Sequence, residues 1–190
     1  MLIIEGSDLV GKTTLIKALC DEATNQCYPM IPQHFGLLPN TWDFFTDYLP
    51  YIAPRTVMDR FIMSEVVYGE ILRHHSRISP NYYYMLEHYL NSHDAVTVIV
   101  AAEPTFFETH VNRQYEHRIE VFKQDQICRV NQAFLEIINT NKLGDFEIQY
   151  DFAHVVNSDR DFPSSNKELV EEIIETYLKL KGIEYESTET

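Results

Sequence analysis

The chain has 190 residues, 45% of them hydrophobic, and 29 acidic against 15 basic residues give it a formal net charge of -14. That length suits one domain around one core, and the acidic balance excludes long-range attraction to nucleic acid or anionic lipid, so an anionic ligand must be held by locally concentrated donors. Cys20, Cys27 and Cys128 lack the paired spacing of a zinc ribbon or a disulfide framework, no apolar run approaches about 20 residues, and Met1 leads into Leu2-Ile3-Ile4 without a basic leader, which together read as a cytoplasmic protein with reduced thiols.

Along the chain, short apolar runs alternate with helical periods. Leu2 to Ile4 is the first predicted strand, and Leu15, Ile16 and Leu19 follow it at helical spacing. Met30 to Phe35 and Thr56 to Met58 are the second and third predicted strands. A helical pattern runs through Ile62, Val66, Ile71 and Leu72, and residues 81–90 (NYYYMLEHYL) read as a helix with a core or subunit-contact face. Ala95 to Val100 (AVTVIV) is β-branched and flanked by polar residues, as expected of a strand buried on both faces. Ile127, Val130, Phe134, Ile137 and Ile138 mark another helix, His154 to Val156 the fifth strand. Leu169, Val170, Ile173, Ile174, Tyr177 and Leu178 mark the last helix, with Ser165 or Asn166 as its N-cap and Gly182 beyond its end. The acidic tail is expected to fray. Strands alternating with helices imply an α/β fold with a parallel sheet covered on both faces and function at the carboxyl ends of its strands.

Residues 5–14, EGSDLVGKTT, contain a glycine, four variable residues and Gly-Lys-Thr between the first strand and the first helix. This is the pattern of a phosphate-cradling loop. Gly6 and Gly11 let successive N–H groups turn inward, and the following helix presents its positive end. Lys12 adds a full charge, and Thr13 supplies a hydroxyl for Mg²⁺. With Thr14 these residues form the predicted ATP phosphate-binding set. Each charge-assisted hydrogen bond contributes about 1.5–3 kcal/mol, so several together overcome the acidic surface. A second stretch, MDRFIMSEVVYGEI (58–71), sets Asp59-Arg60 between a strand and a helix, near the loop at the sheet's carboxyl edge. A carboxylate there suits Mg²⁺ or its waters, and a guanidinium fork suits a second phosphate.

EGSD with GKTT, then DRF followed by Ser64 and Tyr68 at matching offsets, resembles the thymidylate kinase family of nucleoside monophosphate kinases. The string from HFG to DRFIMSEVVYGEI is similar to the smaller kinases of that group found in bacteriophages. The resemblance implies a P-loop three-layer sandwich with a central parallel five-stranded sheet. It implies one kinase domain over 1–182 with a lid near 112–126 and an acidic tail at 183–190. ATP would be the donor, Mg²⁺ the metal, and dTMP or another 5-substituted deoxyuridylate the acceptor. Nucleic acid and membrane partners are not implied, a homodimer is admitted, and a phage origin would place the protein in the host cytoplasm. Asp8 would approach the acceptor 3′-hydroxyl, Asp59 would organise Mg²⁺ and the phosphates, and Arg60 would grip the acceptor phosphate. Ser64 joins the acceptor set, and Tyr68 would test for a 2′-hydroxyl.

The sequence departs from that family at three places. Leu9 stands where part of the family carries an arginine, which shifts the transition-state charge to Arg113 and Arg118 of the lid. Ala101 stands where a strand-end acid is common, with Glu103 slightly later, and Gln33-His34 replaces a phosphate-binding arginine. A monophosphate acceptor needs no general base, whereas a sugar hydroxyl does. The absence of an acid near Gln33-His34 therefore favours the monophosphate over a deoxynucleoside kinase. A catalytically weak nucleotide-binding switch is the remaining alternative. Trp42, Phe44, Phe45 and Tyr48 are candidates to cover the acceptor base, each also a candidate core residue. The eight histidines show no metal spacing. NSDRDFP (157–163) occupies the place of an adenine-covering loop.

Overall fold

The apolar triplet Leu2-Ile3-Ile4 can bury both of its faces only between two layers. In the computed structural model, which describes residues 1–36, 46–115 and 123–185, it lies in the central strand of the sheet. The strands in chain order are β1 (Leu2–Gly6), β2 (Ile31–His34), β3 (Thr56–Asp59), β4 (Val96–Ala102), the two-residue β5 (Lys142–Leu143) and β6 (Phe146–Glu147), and β7 (Phe152–Val156). β5 and β6 pair antiparallel with each other; the other five form one parallel sheet in the order β2-β3-β1-β4-β7. All five predicted strands are present. Their ends move because the ladder, not local propensity, sets them: Gly6 pairs with Val100, and Ala101 and Ala102 pair with Val155 and Val156.

The helices are α1 (Lys12–Asn25), α2 (Ile62–Tyr68), α3 (Pro80–Asn91), α4 (Pro104–Tyr115), α5 (Gln124–Thr140) and α6 (Lys167–Leu180). Alternation along the strands divides the core. Leu2, Ile4, Val57, Val98 and Val100 face α1 and α6, while Ile3, Met58, Ile99 and Ala101 face α2, α3 and α5. This is the expected three-layer α/β arrangement. Because the chain passes from β1 to β2 on one side and later to β4 on the other, β1 ends at the point where the strand order reverses. A crevice opens at such a point.

Local chemistry explains the helix ends. Asn166, rather than Ser165, caps α6, its side chain accepting from the Leu169 N–H at 3.1 Å. Gly182 beyond the end has φ 69°. The tail, expected to fray, packs as far as Tyr185, whose hydroxyl donates to Glu22 at 2.9 Å. Residues 81–90 lie within α3 and bury Tyr83, Leu86 and Leu90. Tyr48 is a core residue against Phe35 and Phe61. Trp42, Phe44 and Phe45 lie outside the described residues. Among the described residues no helix is long and apolar enough to cross a membrane.

Candidate functional site

The end of β1 and the start of α1 build the first half of the site. Gly6 has φ 147°, and a Cβ there would lie 2.1 Å from the Val100 carbonyl oxygen, so the close approach of β1 to β4 requires glycine. The chain then turns through Leu9 at φ 66° and Gly11 at φ 87° into α1. No acidic side chain occupies the first turn of α1, which leaves its positive end available to an anion. Lys12 is 6% exposed and donates to the Ser7 carbonyl at 2.5 Å. Burial, and then the Arg60 charge, bring the Lys12 pKa down to about 8. From the other side of the loop, Asn131 of α5 accepts from the Ser7 hydroxyl at 3.3 Å and exchanges hydrogen bonds with the Ala102 backbone.

The second half comes from the exit of β3. Asp59 is 6% exposed; its Oδ2 lies 2.9 Å from His34 Nδ1, and its Oδ1 is buried without a partner. Arg60 takes a left-handed conformation at φ 71°, with its N–H donating to Ile4 O at 2.9 Å. Its guanidinium donates to Asp8 Oδ1 and lies 5.1 Å from the centroid of the Tyr68 ring, and its Nε is buried and unpartnered. The Tyr68 hydroxyl donates to the other oxygen of Asp8 at 3.0 Å. The two halves meet. Asp8, Leu9, Gly11, Lys12, Thr13, Thr14, His34, Asp59 and Arg60 line one cleft of about 520 Å³, a volume within the range of small-molecule sites.

Beside it, Arg60, Ser64 and Tyr68 share a recess of about 50 Å³ with Phe35, Tyr48, Phe61, Glu65, Arg73 and Arg77. Glu65 is buried between two guanidinium groups: Arg73 donates to its Oε1, and Arg77 donates to Oε1 at 2.9 Å and to Oε2 at 2.7 Å. Arg73 Nε is buried without a partner. A π-helical segment, Gly69–Arg73, makes the cluster possible by bringing Ser76 and His75 over Gly69, where a Cβ would come within 3.0 Å of backbone atoms. Ser64 is 5% exposed, and its hydroxyl donates to Glu5.

At the edge of the cleft, His110 and Phe162 lie 5.4 Å apart by centroid, and Phe106 stacks on His110 at 5.6 Å. Phe162 belongs to NSDRDFP, the stretch read as an adenine-covering loop. Glu103 does not line the cleft; it accepts from the Phe106 N–H at 2.8 Å and so caps α4. Arg113 is in α4, and Arg118 lies outside the described residues. Glu5, Glu65, Arg73, Arg77 and His110 carry no site signal in the sequence because no single helical or strand period links them.

A carboxylate pKa near neutrality marks Glu5. It is 1% exposed, and burial, opposed by hydrogen bonds from Ser64 and Phe61, raises it from 4.5 to about 7. The folded state therefore retains a proton that the unfolded state loses between those values, so this contribution to stability falls as pH rises from about 4.5 to about 7. The loss is on the order of 3 kcal/mol. Denaturant titrations of wild type and Glu5→Gln from pH 5 to 8 should show the difference between the two narrowing or reversing through this window. Parallel curves would mean that Glu5 titrates in its ordinary range.

Neither a protein-family model nor a curated protein sequence matches the chain. Solved structures do. The YorR protein of Bacillus subtilis, in complex with phosphorylated GDP, superposes with a TM-score of 0.63 at 19% identity over 95% of this chain and 97% of that one. Polyphosphate kinase 2 of Arthrobacter aurescens TC1 superposes with a TM-score of 0.51 at 11% identity, covering 100% of this chain and 71% of that one. At these identities the likeness concerns the fold.

Proposed function

We propose that the chain is an ATP-dependent deoxynucleoside monophosphate kinase that transfers the γ-phosphoryl group to dTMP or a related 5-substituted deoxyuridylate, giving the diphosphate. The observation that carries this reading is the single cleft in which Lys12 and Thr13 face Asp59 and Arg60. In it, the loop and the α1 N-terminus hold the ATP phosphates, and Arg60, with its free Nε, takes the acceptor phosphate. The paired Asp8 and Tyr68 lie where the acceptor sugar would rest. Arg73 Nε offers a base carbonyl, such as thymine O4, a donor. The recess is too small for a base as it stands, so entry displaces its polar side chains.

Thr13 and the orphaned Asp59 Oδ1 suit Mg²⁺, which keeps waters and phosphate oxygens among its ligands. Among the described residues no group of three or more His, Cys, Asp or Glu could enclose a metal. The ion would neutralise charge on the transferring phosphoryl group. Arg113 and Arg118 would add transition-state charge from the lid.

The His34 to Asp59 contact favours a second reading, since a histidine oriented by a carboxylate could accept the proton of a sugar hydroxyl in a deoxynucleoside kinase. ADP release with a panel of deoxynucleosides and of deoxy- and ribonucleoside monophosphates separates the two. dGMP belongs in the panel because YorR holds phosphorylated GDP. Strongest stimulation by dTMP or another 5-substituted deoxyuridylate is the expected result. Stimulation by nucleosides alone would establish the second reading, and ATP binding without any stimulation would mark a switch protein. Arg60→Ala should raise the acceptor KM by about 10- to 100-fold while ATP affinity is retained. An unchanged acceptor KM would remove Arg60 from its role.

A further inference from the structure

The acceptor arginine is held in an uncommon backbone conformation, and what holds it comes from the strand that carries the donor loop. Ile4 O accepts from the Arg60 N–H at 2.9 Å. The next residue, Glu5, reaches across from β1, its Oε1 accepting from the Phe61 N–H at 3.0 Å and the Met63 N–H at 3.1 Å, its Oε2 from the Ser64 hydroxyl. These donors belong to the first turn of α2, whose own N-cap residue, Phe61, has no side-chain oxygen to offer. Glu5 thus caps a helix 56 to 59 residues away in the chain. With Phe61 and Met63 pinned on one side and Ile4 holding Arg60 on the other, φ 71° at Arg60 is over-determined. That turn directs the guanidinium onto Asp8 and Tyr68.

We propose that Glu5 is a positioning residue: it ties the donor loop to the acceptor helix and sets Arg60 for the acceptor phosphate without touching either substrate. The assignment rests on the kinase reading above for its substrates, and on the hydrogen bonds alone for its geometry. Glu5 also borders a polar cavity of about 230 Å³ lined by Tyr83, Glu87, Thr97, Gln149 and Asp151, residues distinct from those of the cleft. Lys12 of α1, Arg60, Tyr48 and Tyr68, and Tyr83 of α3 are the titratable groups that feel its charge. Either protonation state serves the cap, because one oxygen still accepts from the two N–H groups while the other can donate to Ser64. Glutamine can do the same.

The test compares Glu5→Gln with Glu5→Ala. Glu5→Ala should raise the acceptor KM by about tenfold or more, leave the ATP KM within about twofold, and speed hydrogen exchange at the Phe61 and Met63 amides by about tenfold or more. At pH 6, where the Glu5 carboxyl is largely protonated and the neutral amide is its isostere, Glu5→Gln should match wild type in all three. If Glu5→Ala does not fold, Glu5→Asp, one methylene too short to reach both N–H groups, carries the same comparison. Protected Phe61 and Met63 amides in the short variant, or acceptor and ATP KM values rising together, would overturn the role. If wild type phosphorylates no monophosphate, the kinase reading fails, and the exchange data still decide whether Glu5 holds the turn.

Discussion

Lys12→Ala is expected to lower turnover by at least about 100-fold, the scale on which removal of one transition-state donor acts. Lys12 is a buried ammonium whose hydrogen bond goes to the Ser7 carbonyl of its own loop. Its pKa is depressed to about 8 by burial and then by Arg60, so the resting protein holds this charge at a cost that an arriving phosphate would offset. Alanine removes the cost together with the charge. Fold stability should therefore hold or rise while turnover collapses, because the depressed pKa marks a charge that the fold holds at a cost. Single-turnover kinetics beside a denaturant titration separates the two quantities. Turnover within about tenfold of wild type would take Lys12 out of the chemistry, and a parallel loss of stability would show that its role is structural.

The residues that announced the site did so because their chemistry is local. A phosphate loop needs its glycines, lysine and threonine at fixed offsets, since one turn of backbone must aim several N–H groups at one point, and Asp59-Arg60 follows a strand within the same short stretch. β4 was legible because a run of valine and isoleucine suits a strand covered on both sides. The Glu65, Arg73 and Arg77 cluster was not, because a π-helical segment breaks the helical period between its members and the loop over Gly69 completes it. Glu5 stood inside the quoted motif and was passed over, since only the β1 to β3 pairing shows that its carboxylate meets the start of α2. The sequence shows no acid near His34, and it is the β2 to β3 register that sets Asp59 opposite it. The hairpin of β5 and β6 is too short for any period to show.

Gly6→Ala should destabilise the protein by about 3 kcal/mol or more, from backbone strain and overpacking together. The new Cβ would sit 2.1 Å from the Val100 carbonyl oxygen, a backbone atom of β4 in register with Gly6. No side-chain rotation relieves that contact. β1 and β4 are both central and buried, so parting them disturbs the core on both faces. At φ 147° the residue also occupies a region that L-residues rarely adopt. Relief can come only from moving the start of the phosphate loop, which shifts the Ser7 carbonyl and Lys12, so ATP binding should be lost along with stability. The control is Gly182→Ala, where φ is 69° but nothing lies within 4 Å of the added carbon. There the cost should stay near 1 kcal/mol. For a domain of this size the difference of about 2 kcal/mol corresponds to a melting-temperature gap of roughly 4–8 °C. Equal melting temperatures for the two variants would mean that β1 and β4 do not approach as closely at Gly6 as the carbonyl contact requires.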